Sequence, residues 1–386
     1  MASSLPCAFI SKGPTTMLPE TVDRPLVYDA VSLASGEPAW MQETWGGEAP
    51  NFTARVRLAG LCRSDLKEAF ERRDVRSDFG HEMVLEVHST PAGAGLAPGQ
   101  RVIFDPHVQL RRSTGFAPVL YAQGYPETLK RAFVPVPQGM PDSVAVFTEP
   151  LACAVHAAEQ ALAHFRTASN GQPPRNVAFT AAGLSSVLQA IVLRQSGLEC
   201  DIYNRTPARP AYLRENTSLN CHGINFPPEA PTDSYDIVVV SDAFSDEASI
   251  QRALRVVRPK GLILLFGGTK TGESSPLLSL PKDALRRSEG FALVTVRDKP
   301  IAIGGTHGAL RCDFDRAQAL LAAPASQPLF ASLVGRSVPV RDLPGLLHRM
   351  HLGQEVNFLK TLVETTPGDG SGSAASDLWG NDKDIF

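Results

Sequence analysis

The stretch Val177-Ala178-Phe179-Thr180-Ala181-Ala182-Gly183-Leu184-Ser185-Ser186 decides the fold. Its apolar start, within Asn176–Thr180, reads as a buried strand. Small residues follow, and Leu184–Gln195 continues as a helix. A strand, a turn of small residues and a helix N-terminus form the unit that receives a dinucleotide, because the first helical N–H groups point at the pyrophosphate. The glycine pattern here is reduced to A-x-G-x-x-S. Gly183 is the central glycine that lets the backbone approach phosphates. Ala181 and Ser186 are small enough to keep the turn and the helix–strand packing, and Ser185 or Ser186 could add a hydroxyl. An ordinary β–α turn, or a cofactor site that has decayed, satisfies the same pattern, so the neighbouring units must support the reading.

They do so by alternation. Cys200–Tyr203 reads as a strand, Asp236–Val240 as a strand, Ala248–Val257 as a helix and Leu262–Phe266 as a strand. Buried strands alternating with helices predict βαβ units, hence an α/β fold with a doubly wound parallel sheet. On the N-terminal side the period changes. Phe52–Leu58, Met83–His88, Arg101–Phe104 and Ala132–Val136 are short strand-like runs, and the first alternates cleanly. That half is mainly β. Leu151–Phe165, without Gly or Pro, predicts a helix between the halves. Phe314–Ala323 predicts another helix, Val338–Met350 starts as a strand and becomes a helix, and Lys360 lies in the terminal strand. The expected division is a flexible N-terminus at 1–17, a β domain from 18–153 with 305–365, a nucleotide-binding domain at 154–304, and a flexible, small and polar tail at 366–386.

The 386 residues suit two domains, and 43% hydrophobic with 20% charged residues exclude a disordered or fibrous chain. A net charge of −3 gives no basic excess for a phosphate backbone, so nucleic acid is not an expected partner. No apolar run reaches the ~18 residues of a membrane span. Residues 1–20 lack the apolar core of a secretion signal. Six cysteines are scattered without a CxxC pair, which points to a reducing, cytoplasmic compartment.

Three fragments carry chemistry: Gly60-Leu61-Cys62-Arg63-Ser64-Asp65, Gly80-His81-Glu82 and Glu149-Pro150-Leu151-Ala152. Thiolate, imidazole and carboxylate are donors that zinc accepts, and a catalytic site needs three of them and an open position. Glu82 and Glu149 could equally be ion-paired turn residues.

In this order, with the turn Pro98-Gly99-Gln100-Arg101-Val102 between them, the fragments resemble those of the zinc-dependent medium-chain dehydrogenase/reductase family, over about residues 20–365. The resemblance implies a GroES-like catalytic domain and a Rossmann domain. It also implies that Cys62 and His81 are zinc ligands, that Glu82 is the third ligand or its exchange partner, and that Glu149 is a ligand or holds a water. Ser64 would hydrogen-bond the substrate hydroxyl and pass on its proton, while Asp65 would fix the His81 tautomer. One catalytic zinc is expected and no structural zinc, since Asp105–Tyr125 has no cysteine and His107 stands alone there. Between Cys62 and His81 the chain is short and charged, so the loop that usually rims the substrate site is trimmed or rebuilt. Arg63 is a contact to an anionic group or a solvated charge.

After the second nucleotide-domain strand comes Tyr203-Asn204-Arg205-Thr206-Pro207-Ala208-Arg209. An acidic residue there would bind the ribose of NAD. Asn204 and Arg205, with Arg209 or Thr206 assisting, suit the 2′-phosphate of NADP better than NAD. Ser241, Gly267 and Gly304 match segments that flank the nicotinamide side in the family. The implied activity is zinc-dependent hydride transfer between NADP(H) and an alcohol or carbonyl, with a sugar, polyol, cyclitol or secondary-metabolite intermediate as the small-molecule substrate and a homodimer or homotetramer as the assembly. The alternatives are a non-catalytic member and a zinc-free reductase of the same fold.

Overall fold

The computed structural model describes residues 25–71, 79–355 and 359–365. The segments expected to be flexible, 1–17 and 366–386, lie outside it, as does most of the short charged stretch before Gly80.

The first module is built from β1 (Leu26–Ser32), β2 (Ala39–Trp45), β3 (Phe52–Leu61), β4 (Glu82–Ser89), β5 (Arg101–Phe104), β6 (Arg111–Arg112), β7 (Val119–Gln123) and β8 (Phe133–Pro135). Three helices punctuate it: α1 (Arg63–Glu71), α2 (Pro126–Ala132) and α3 (Asp142–Ala145). β1 and β2 form an antiparallel ribbon. β3 pairs antiparallel with both β4 and β7, and the ladder continues from β4 to β5 and from β5 to β8. The alternation read in Phe52–Leu58 is real, with Phe52, Ala54 and Val56 fully buried. Phe52 stacks on Phe133 with ring centroids 4.1 Å apart. Each large apolar side chain buried here contributes roughly 1.5–3 kcal/mol.

One helix, α4 (Thr148–Ala168), leads out of this module. It starts three residues before the predicted helix, and the expected division at 153/154 runs through it. The second module follows as β9 (Asn176–Phe179), α5 (Leu184–Gln195), β10 (Glu199–Ile202), α6 (Ala208–Asn216), β11 (Ile224–Asn225), β12 (Tyr235–Val240), α7 (Glu247–Val256), β13 (Val257–Leu265), α8 (Lys282–Arg287), β14 (Phe291–Val296) and β15 (Lys299–Gly305). The sheet order is β11-β10-β9-β12-β13-β15-β14. All neighbours are parallel except the β14–β15 hairpin. The order reverses between β9 and β12, which opens a crevice at the C-terminal ends of those strands. This is the predicted doubly wound sheet. The connection from β11 to β12, residues 226–234, carries no helix.

The chain then returns through α9 (Arg311–Ala322), α10 (Gln327–Ser332), β16 (Val334–Pro339), α11 (Leu343–His351) and β17 (Lys360–Glu364). β17 pairs antiparallel with β3, placing Thr361 opposite Leu61. The last strand therefore arrives beside the Cys62 segment. Among the described residues no helix is long and apolar enough to cross a membrane.

Candidate active site

β3 ends at Leu61, and Cys62 leads into α1. The turn is held by Asp65, which is fully buried. Its carboxylate accepts from the Cys62 N–H at 2.8 Å and from the Gly80 N–H at 2.9 Å, and lies 3.5 Å from His81 Nδ1. One carboxylate thus joins the G-x-C-x-S-D segment to the G-H-E segment and orients the His81 ring, in the position expected of it. Gly80 has φ +67°, and a Cβ there would lie 2.9 Å from the backbone nitrogens of Gly115 and Phe116. Only glycine fits both the conformation and the approach.

Donor atoms of Cys62, His81 and Glu82 lie within 4.8 Å of one another. Burial opposes charge on both Cys62 and His81. Asp65 and the Cys62 sulfur nevertheless raise the imidazole well above its ordinary pKa, and hydrogen bonding to His81 lowers that of the thiol. The pair favours thiolate beside imidazolium, the sulfur form that binds metals. Glu82 is already engaged: its Oε2 forms a buried ion pair with Lys360 Nζ. Gly60 makes room, since a Cβ there would sit 2.6 Å from both Glu82 Oε2 and Lys360 Cε. Burial pulls the Lys360 pKa down to about 8, with Cys62 and Asp65 working against it. Ser64 Oγ is buried and has no hydrogen-bond partner among the described residues. A buried hydroxyl in that state is costly unless a ligand completes it.

Glu149 is not part of this trio. It sits in the first turn of α4, grouped with Cys153 one turn later and with His107. Cys153 Sγ lies 3.4 Å from Glu149 Oε1 and 3.9 Å from His107 Nε2. His107 is therefore not isolated, as the sequence had suggested. Burial, then Glu149, pushes the Cys153 thiol well up, and Cys62 contributes, so the two trios adjoin. The sequence signal is the i,i+4 spacing of Glu149 and Cys153, which a helix beginning at Leu151 does not contain. Toward the second module, Lys67 on α1 donates to Ala243 O at 2.6 Å and lies 3.8 Å over the Phe244 ring. The donor cluster thus stands at the seam with the C-terminal end of β12.

At the β9–α5 turn, Gly183 has φ −73° and serves as N-cap without a side-chain cap. A Cβ there would meet nothing closer than Ser185 Oγ at 3.8 Å, so the open space above it is available to a ligand. Ser186 is committed elsewhere: it is fully buried and donates to Ala181 O at 2.6 Å. Ser185 is the hydroxyl left for a phosphate. Leu184 opens the helix. Asn204 accepts from the Ala182 N–H at 3.2 Å and donates to Thr206 O at 2.9 Å, bracing the two strand ends. Arg205 lines a cavity of about 290 Å³ together with Arg252 and Arg255 of α7. No local pattern points to these two, since α7 reaches the cavity only through the sheet topology. Arg209 is pulled down to about 10 by burial and by Arg63, which approaches from the other module. Ser241 bonds to Ala181 O at 3.3 Å. Gly267 and Gly304 have packing reasons of their own: a Cβ would lie 2.5 Å from Asp242 O and from His164 Cδ2, respectively.

No protein-family model matches the chain, and no curated protein sequence matches it. Solved structures do. L-idonate 5-dehydrogenase from Escherichia coli is 16% identical, with 88% of this chain and 99% of that one covered at a TM-score of 0.62. A Sinorhizobium meliloti protein designated a zinc-binding dehydrogenase and bound to NADP is 16% identical, with 88% and 99% covered at 0.65. Alcohol dehydrogenase TADH from Thermus sp. ATN1 is 18% identical, with 88% and 99% covered at 0.63. The likeness establishes a shared fold, a GroES-like β module joined to a Rossmann module.

Proposed function

We propose that the chain is an oxidoreductase of the zinc-dependent medium-chain dehydrogenase/reductase type, transferring a hydride between NADP(H) and a hydroxyl or carbonyl carbon of a small substrate. The observation that carries the reading is the buried, unpartnered Ser64 Oγ two residues from Cys62, whose sulfur lies within 4.8 Å of donor atoms on His81 and Glu82. The donor chemistry fits zinc. Bound there, zinc would supply Lewis-acid polarisation of the substrate oxygen, and the nicotinamide would take up or deliver the hydride.

The chain's own residues do the rest. Asp65 holds the Cys62 and Gly80 backbones and the His81 ring in register. Ser64 Oγ hydrogen-bonds the substrate hydroxyl and takes its proton outward. Lys360 keeps Glu82 in place as a counter-ion. The uncapped N-terminus of α5, with Gly183, Leu184 and Ser185, receives the pyrophosphate. Burial and Arg63 disfavour the charge on Arg209, and an anion bound beside Arg209 would relieve it. Arg205, Arg252 and Arg255 supply the positive lining for a 2′-phosphate. Polyhydroxylated alcohols, such as sugars, polyols and cyclitols, are the substrate class, and the protein works as a homodimer or homotetramer in the cytoplasm.

The test is Cys62→Ala and His81→Ala, assayed for NADPH-linked carbonyl reduction and NADP-linked alcohol oxidation. Each is expected to lose about 1,000-fold or more in kcat, in line with removal of a catalytic group, while NADPH binding by fluorescence is retained. Undiminished turnover in either variant rejects the zinc reading. Wild-type protein that binds neither zinc nor NADPH rejects the enzyme reading altogether.

A further inference from the structure

Beyond the metal position, the far side of the cleft is basic. His107 comes from the loop after β5, and its ring packs on the loop that follows β15. A Cβ on Gly308, which has φ +76°, would lie 3.1 Å from His107 Cε1. His107 Nε2 stands 3.9 Å from Cys153 Sγ, one turn along α4 from Glu149, which is expected to serve the metal beside Cys62 and His81. His107 therefore links the metal position to the C-terminal end of β15. The end of α8 closes on the same place. Gly305, the last residue of β15, admits it: a Cβ there would lie 2.6 Å from Arg286 Cα. Arg286 Nε donates to Phe266 O, just past β13, at 3.1 Å, and Arg287 pairs with Asp283 at 2.7 Å. His307, two residues beyond Gly305, donates its N–H to Glu289 Oε1 at 3.0 Å.

These groups set up a positive potential at the mouth of the cleft. Burial lowers the His307 pKa to about 4, Arg286, Arg287 and His107 add to the effect, and Glu289 opposes it. The nearby carboxylates have other engagements: Glu289 with His156 at 2.6 Å, Asp283 with Thr269 at 2.6 Å, and Asp105 with the His107 N–H at 2.9 Å. The phosphates of the proposed cofactor do not account for the cluster. They are read at the β9–α5 turn and at Arg205, which follows β10. Four steps across the sheet separate β10 from β15, in the order β10-β9-β12-β13-β15. At about 4.8 Å per strand, that is about 19 Å.

We propose that Arg286, Arg287, His107 and His307 receive an anionic end of the substrate, a carboxylate or a phosphate group, away from the carbon that exchanges hydride. This rests on the oxidoreductase reading and narrows its substrate class from polyhydroxylated alcohols in general to sugar acids or sugar phosphates. Guanidinium groups supply the charge, in a fork geometry that suits either anion. A neutral imidazole still donates one N–H to it.

Calorimetric titration of the full chain in excess NADP tests this, with D-gluconate, inorganic phosphate and uncharged sorbitol as probes. NADP occupies the arginines at the other end of the cleft. Gluconate or phosphate is expected to bind at least about tenfold more tightly than sorbitol, the smaller end of what a charge-assisted hydrogen bond contributes. Preference for gluconate assigns a carboxylate terminus, and preference for phosphate a phosphorylated one. Arg286→Gln/Arg287→Gln, checked for folding by circular dichroism, is expected to lose that advantage and to leave sorbitol unchanged. Should the double variant not fold, the His307 ring signals of wild type, assigned by nuclear magnetic resonance with His307→Gln, give the readout: the anions should shift them and sorbitol should not. The proposal is overturned if neither anion outbinds sorbitol, or if the His307 signals stay unmoved by a bound anion. It is also overturned if the folded double variant binds the anion as tightly as wild type, which would place the anion on the metal. Anion binding as expected without any turnover would reject the oxidoreductase reading and leave the anion site standing. Turnover of sorbitol with neither anion outbinding it would reject this proposal alone.

Discussion

The Cys62 trio and the β9–α5 turn solve the same problem, holding a charged ligand, in opposite ways. Around Cys62 the two carboxylates are buried and tied to residues further along the chain: Asp65 to Gly80, Glu82 to Lys360. At the turn, the polar side chains bond to the backbone of the turn itself, Ser186 donating to Ala181 O and Asn204 accepting from the Ala182 N–H. The positive charge stands off to the side, on arginines around a cavity. The first region is over-determined and should respond to substitution as a stability element. The second is a scaffold with separable charges, and should respond as a binding element.

Lys360→Met puts most strain on this contrast. It leaves Glu82 as an uncompensated buried charge, and breaking such pairs costs about 3–5 kcal/mol. Urea denaturation should show that loss, and the double variant Glu82→Gln/Lys360→Met should recover most of it. A stable single variant would erase the distinction between the two regions. Arg205→Ala should do the reverse, leaving stability unchanged while weakening NADPH. Charge-assisted hydrogen bonds contribute roughly 1.5–3 kcal/mol, or one to two decades of affinity. NADH should change little, and Asn204→Asp should push further toward NADH by repulsion. Parallel titration of both cofactors decides it. Equal weakening of both would mean that Arg205 contacts neither phosphate selectively.

The smallest effect lies between the regions. His156 on α4 sits between Asp313 Oδ2 at 2.9 Å and Glu289 Oε1 at 2.6 Å. The hydrogen bond to Asp313 raises its pKa, burial lowers it, and the bond to Glu289 helps the first effect win. A raised folded-state pKa adds stability that is full below the ordinary value of 6.5 and is lost as pH rises through the folded value. His156→Gln should therefore lower Tm at pH 5.5 by the equivalent of about 1 kcal/mol, and the gap should narrow at alkaline pH. A gap that is constant with pH would show that the ring acts by packing alone.

Much of this was legible beforehand, and what was not has identifiable causes. The parallel sheet could be read because its strands are continuous apolar runs with helices between them. The Cys62, His81 and Glu82 trio could be read because its fragments stand in a recognisable order. The β1–β2 ribbon escaped because Ala39–Trp45 has no clean alternation, with exposed Met41 and Gln42 side by side. Lys360 could be placed on the last strand, but its partner lies 278 positions away and only the β17–β3 pairing brings them together. Cys153 was hidden by a helix boundary, and Arg252 and Arg255 by a crossing of the sheet. Local pattern reports elements well; it does not report which distant elements share an edge.

The continuity of α4 has a consequence for recombination. Nucleotide modules of this kind invite exchange between proteins, and the obvious seam follows the predicted division near residue 153. A join there would cut through a helix of 21 residues, leaving Glu149 and Cys153 on a stub of it, or force both parents to agree on its pitch. A join ahead of Thr148 avoids the cut but transfers Glu149 and Cys153 with the incoming module, leaving His107 behind with the host. The helix makes the two halves one unit of inheritance: a functional chimera must bring matching partners on both sides of the seam.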